Sequence, residues 1–150
     1  MALVSNSLLP MIQLAITPVI LITGLGSLML TMTNRLGRIV DRTRVLAGQA
    51  RSATGEERTH VESQLRILFR RAKLVRMAVS LATLSMFVSG LLVVVIFLSA
   101  LLGIEAALAI LMLFVAAITL LLGALGFFLR DINVTLNALR LEVRRALPEE

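Results

Sequence analysis

Residues 77–129 read MAVSLATLSMFVSGLLVVVIFLSALLGIEAALAILMLFVAAITLLLGALGFFL and carry one charge, Glu105. A helix crossing the ~30 Å hydrocarbon core of a bilayer needs about 20 apolar residues, so this run is too long for one span and fits two. The break belongs at Leu102-Gly103-Ile104-Glu105, where a helix-weakening glycine meets the only charge. Upstream, residues 8–33 are uncharged and supply a third span. The expected architecture is all-α and polytopic: a single membrane domain over residues 1–150, with transmembrane helices at about 8–33, 77–102 and 106–129.

Composition agrees. The chain is 58% hydrophobic with a mean hydropathy of +0.95, above the ~45–50% apolar content of soluble domains. Charged residues are 16% of the total, against about 25% in soluble chains. Cysteine is absent and His60 is the single histidine, which excludes disulfides, thiol chemistry and any site needing two histidines. No cofactor or metal is expected. The usual Trp and Tyr interface belt is missing as well.

The net charge of +6 is one-sided. Eleven of the fifteen basic residues fall within 34–76 and four within 130–145, while residues 1–7 and the turn at 103–105 carry none. Basic residues stay on the cytoplasmic side, so the N-terminus and Glu105 are expected outside and the 34–76 loop and C-terminus in the cytoplasm. The first run is read as a span, since no positive segment precedes it and it exceeds a signal-peptide core. The sequence pI near 11.6 invites nucleic acid, but no aromatic interleaving or binding motif accompanies it; positive-inside topology accounts for the charge.

The loop is helical by pattern. Leu36, Ile39, Thr43, Leu46 and Ala50 step by 3 and 4, as do Val61, Leu65, Leu68, Ala72, Val75 and Val79, the spacing of a coiled-coil seam. Between them, Arg51-Ser-Ala-Thr-Gly55 is turn chemistry, and Thr54 with Glu57 has capping-box spacing. A cytoplasmic helical hairpin over 34–76 follows. The tail, 130–147, places Ile132, Leu136, Leu139, Val143 and Leu147 on one stripe that would complete a three-helix bundle with the hairpin or, as the alternative, lie along the membrane surface.

Two faces of the first helix carry the functional candidates. Gln13, Thr17, Gly24 and Thr31 share one line, with Ser27 beside it, and either pack helices together or line a water-filled path between copies. The small residues Ala78, Ala82, Ser85 and Ser89 form a second such face on the next span. Together they predict a homo-oligomer. Further along, Arg35, Arg38 and Arg42 form one basic stripe, and Arg70, Arg71, Lys73 and Arg76 a juxtamembrane cluster on the next helix. These are candidate contacts for anionic lipid headgroups or a cytoplasmic protein partner. Asp41 is expected to pair with neighbouring arginines and Glu62 with Arg66, at i,i+4 spacing. Glu105, repeated around a symmetric oligomer, would form an outer ring of negative charge.

The spans hold no His or catalytic acid pair and the chain has no phosphate-binding or nucleophile-elbow motif, so no enzyme is expected. The expected function is a non-enzymatic homo-oligomeric scaffold or adaptor with a basic cytoplasmic stalk; the alternative is an ion or small-solute channel lined by the polar face of the first helix. Ile12-Gln-Leu-Ala-Ile-Thr-Pro18, followed by Asn34-Arg35 and Arg38-Ile-Val-Asp41-Arg42 with Arg44, resembles a family of small bacterial integral-membrane proteins, the domain of unknown function 2721 type. The resemblance implies a bacterial inner-membrane protein of this organisation and brings no activity or catalytic residue.

Overall fold

The computed structural model describes the backbone of residues 2–146 and the side chains of residues 12–136, Leu14 excepted. It is three helices: α1 (Ala2–Ser52), α2 (Gly55–Leu102) and α3 (Ala107–Ala146). No strand occurs among the described residues. At 1.5 Å per residue, the 51 residues of α1 run about 75 Å, more than twice the hydrocarbon thickness. All three helices are long and apolar enough to cross a membrane. Pro18 falls inside α1 without breaking it, as prolines do in membrane helices whose freed backbone groups find other partners.

Both connections fall where the turn residues stand. The first is Ala53-Thr54, with Gly55 at φ +62°. Thr54 flanks the start of α2, but among the described residues its hydroxyl makes no capping bond; Ala53 instead donates its backbone N–H to the Gln49 carbonyl and its side chain is buried. The second is Gly103 at φ +65°, followed by the Ile104 N–H donating to the Ser99 carbonyl at 3.0 Å. That six-to-one bond over a left-handed glycine is a Schellman closure of α2.

The chain divides into two compact units, one running to Leu30 and from Ser80 to Gly123, the other from Thr31 to Val79 and from Ala124 onward. In the first unit small side chains supply much of the interior: Ala82, Ser85, Ser89 and Ala117 are fully buried, beside Leu25, Leu92 and Ile96. Many of the large apolar side chains point outward, with Phe87, Leu101, Leu108 and Leu122 all more than 60% exposed. Water would penalise that arrangement, whereas lipid does not; small residues let helix backbones approach where no hydrophobic force drives association. Ser85 Oγ donates across the seam between α2 and α3 to the Ala117 carbonyl at 2.8 Å, while Ser89 Oγ satisfies itself within α2 on the Ser85 carbonyl at 2.9 Å. The small-residue face of α2 is therefore consumed within the protomer.

The second unit has the opposite grain. Ile39, Leu46, Val61, Leu68 and Val75 form one buried cluster, flanked by Leu36, Ala50, Leu65, Ala72 and Val79. These are the residues of the two 3–4 stripes; Thr43, the stripe's polar member, caps its hydroxyl on the Ile39 carbonyl at 2.7 Å. α3 continues unbroken to Ala146, but the register of its described side chains differs from the expected stripe. Ala124 and Asp131 are the fully buried positions, at seven-residue spacing, while Leu136 is half exposed. A buried Asp needs partners, and the packing turns the face that offers them inward. The rest of that stripe, Leu139, Val143 and Leu147, lies outside the described side chains.

Candidate functional site

The strongest polar feature of the second unit is built around Asp131, whose side chain has no exposed surface. Arg71 on α2 donates from Nε to Asp131 Oδ1 at 3.3 Å. Arg35 on α1 brings its Nε to 3.0 Å from Oδ2. Oδ2 nevertheless has no hydrogen-bond partner, so its contact with Arg35 is an ion pair by distance. Arg35 is held from two more sides, by Thr135 Oγ1, which accepts from Nη2 at 3.3 Å, and by the Phe128 ring, 5.5 Å below the guanidinium. Thr135 in turn donates to the Asp131 carbonyl at 2.8 Å. One carboxylate thus ties all three helices together through two arginines.

Beside this junction lies a cleft of about 310 Å³, lined by Arg35, Arg38, Ile39, Arg42, Leu68 and Arg71. The first-helix stripe and one member of the α2 cluster meet here; Arg70, Lys73 and Arg76 do not line it. Arg38 and Arg42 project into solvent and make no ion pair or hydrogen bond among the described residues. Asp41, expected among these arginines as a partner, is exposed and forms no ion pair among the described residues; its neighbours Arg38 and Arg42 line the cleft instead. Glu62 pairs with Arg58 at 3.1 Å rather than with Arg66. Both ends of that pair are over half exposed, so it contributes ~0.3–0.5 kcal/mol at most.

In the first unit, Gln13, Thr17, Gly24, Ser27 and Thr31 are all exposed on the surface of the protomer. Its buried residues, such as Ala15 and Leu25, occupy another side of α1. Gln13 and Thr17 border a groove of about 810 Å³ whose other walls include Leu92, Ile96, Ala107 and Phe114. A Cβ placed on Gly24 or Gly26 would meet nothing within 4 Å, so no close approach inside the protomer requires either glycine. Thr23 satisfies its hydroxyl on the Val19 carbonyl at 3.1 Å, the self-bonding that lets threonine sit in a membrane helix. Glu105 is exposed in the turn before α3, and His60 is exposed near the start of α2, 3.0 Å from Gln64 Nε2.

Reasoning from sequence overlooked Asp131, Thr135 and Phe128. The available signal was that Asp131 is the only acid between Glu105 and Glu142 and lies seven residues beyond Ala124 and fourteen beyond Ala117, the period that marks the buried line of α3.

Neither a curated protein nor a solved structure matches the chain. A family model described as protein of unknown function (DUF2721) matches residues 15–141, a span that takes in both arginine stripes, the small-residue seam and Asp131. The chain belongs to the DUF2721 family.

Proposed function

We propose that this protein is a non-enzymatic membrane scaffold that self-associates through the polar face of α1 and presents its basic three-helix half to the cytoplasm. The observation that carries the reading is the outward exposure of Gln13, Thr17, Gly24, Ser27 and Thr31 on a helix that also exposes Ile12, Ile16, Val19, Ile20 and Leu30. A glutamine facing lipid is unfavourable, and contact with a second copy removes it from lipid. Gly24 and Gly26 support the same reading, because nothing inside the protomer calls for them. The α2 face plays no part in this association, being filled by α3.

The cytoplasmic placement of the basic half rests on the one-sided distribution of fifteen basic residues. The non-enzymatic reading is supported by the state of the buried acid: Asp131 is occupied by two arginines and has no free role as a base.

The test is the mass of the purified protein in a neutral detergent, measured by light scattering for the wild type and for Gly24→Leu. A defined multimer that Gly24→Leu reduces to the protomer, with helicity retained, supports self-association through this face. A protomer-sized wild type contradicts it. The channel reading requires in addition that water reach the face: single cysteines at 17, 24 and 31 would then react in intact cells with a membrane-impermeant thiol reagent, whereas a dry packing seam leaves them silent.

A further inference from the structure

We propose that the cleft formed by Arg35, Arg38, Arg42 and Arg71 binds a phosphate-bearing anion. Four guanidiniums line it and one carboxylate, Asp131, balances part of their charge, leaving +3 from four positive and one negative. Arg38 and Arg42 stand at i,i+4, a like-charge placement that destabilises a helix unless an anion lies between. Among the described residues neither finds one: Asp41, on the same helix, pairs with neither, and Asp131 is already committed to Arg35 and Arg71. Arg35 and Arg71 are less free to move. Asp131 fixes both, with Thr135 and Phe128 fixing Arg35 further, so two of the four guanidiniums are preorganised before any ligand arrives. Each guanidinium has five N–H donors in a planar fork suited to phosphate oxygens, and Arg71 commits one to Asp131.

The apolar floor and the size fit the same ligand. Ile39 and Leu68 are nearly fully buried, so solvent screens the attraction between these arginines and an anion less than it would on an open surface. The volume, about 310 Å³, corresponds to roughly ten waters at ~30 Å³ each, enough for a phosphate group and part of its hydration. The cleft begins at Arg35, two residues beyond the uncharged run of α1, which is the depth of lipid phosphates. The same chemistry is offered by a phospholipid headgroup and by a free phosphate. The proposal stands independently of self-association.

The test uses the full chain purified in a neutral, lipid-free detergent. One arm titrates inorganic phosphate at constant ionic strength by calorimetry. The other adds phosphatidylglycerol or phosphatidylcholine to mixed micelles and counts bound lipids by native mass spectrometry. Arg38→Gln/Arg42→Gln is compared with Arg44→Gln/Arg66→Gln, an equal loss of charge at exposed positions outside the cleft. The expected result is saturable binding of phosphate or of phosphatidylglycerol, weakened about tenfold or more by the cleft pair, as loss of charge-assisted hydrogen bonds implies, and unchanged by the other pair. Phosphate binding without lipid assigns a free anion; binding seen only with phosphatidylglycerol assigns a headgroup. Equal weakening by both pairs, or no binding of phosphate together with equal binding of the two lipids, overturns the proposal. Thermal unfolding of both variants, followed by circular dichroism, separates lost binding from lost fold.

Discussion

Arg71 on α2 donates its Nε hydrogen to Asp131 Oδ1 on α3 at 3.3 Å, and the carboxylate that receives it has no exposed surface. Arg35 reaches the other oxygen of the same group from α1. Ions taken out of water are expensive individually, so each member of this trio depends on the others.

Asp131→Asn should lower the unfolding free energy in detergent by about 3–5 kcal/mol, because it leaves two partly buried arginines without their counter-charge. Glu105→Gln, at an exposed turn position, should leave it unchanged. The interaction is read more cleanly by a double-mutant cycle. Arg35→Ala and Asp131→Ala together should destabilise by less than the sum of the two single changes, and strict additivity would mean the pair contributes nothing.

The seam between α2 and α3 makes a prediction about size. Ser85 is fully buried against the Ala117 carbonyl, so Ser85→Leu should destabilise by about 1–3 kcal/mol through overpacking. Ser85→Ala removes one interhelical hydrogen bond and should lose only ~0.6 kcal/mol. Thermal melts followed by circular dichroism distinguish the two, and equal losses would contradict a tight small-residue seam.

Neighbouring residues of the basic half should behave in opposite ways. Leu68 is buried in the core cluster while Phe69 is 72% exposed. Leu68→Ala should therefore remove about 2–5 kcal/mol, and Phe69→Ala less than about 0.5 kcal/mol. Comparable losses would mean that the hairpin packs in another register.

At the turn between α2 and α3, Gly103 adopts φ +65°. Gly103→Ala should lower stability by about 1–2 kcal/mol, the penalty for a Cβ in the left-handed region. Gly90→Ala is the control: it lies within a helix with open space around it and should be neutral or slightly stabilising by helix propensity.

The hairpin was legible residue by residue, since the 3–4 steps of Ile39, Leu46, Val61, Leu68 and Val75 admit one packing that buries them all. The turns were legible too, because Gly55 and Gly103 stand at left-handed positions that few other residues tolerate. The small face of α2 was visible as a pattern but not as a partner: alanine and serine spacing is the same whether the neighbour is α3 or a second copy. The register of α3 was not legible. Ile132 and Leu136 make the more apolar stripe, and the ion pairing of Asp131 with two arginines sixty and ninety-six residues away along the chain outweighs it. A periodicity argument weighs apolar residues and has no term for a buried charge whose partners lie on other helices. The arginine cleft follows from that register, which is why the stripe of Arg35, Arg38 and Arg42 could be read as a face but not joined to Arg71.

Self-association requires that the polar face of α1 meet a second copy of the chain. The absence of native cysteine permits a direct measurement in unextracted membranes: single cysteines at Gly24, Ser27 and Thr31, and separately at Ala82 and Ser85, followed by mild oxidation and non-reducing electrophoresis. Dimer-sized bands are expected from the three α1 positions and none from the two seam positions, which are buried inside the protomer. Crosslinking at Ala82 or Ser85, or its absence at all three α1 positions under conditions where a C-terminal cysteine reacts, would contradict it.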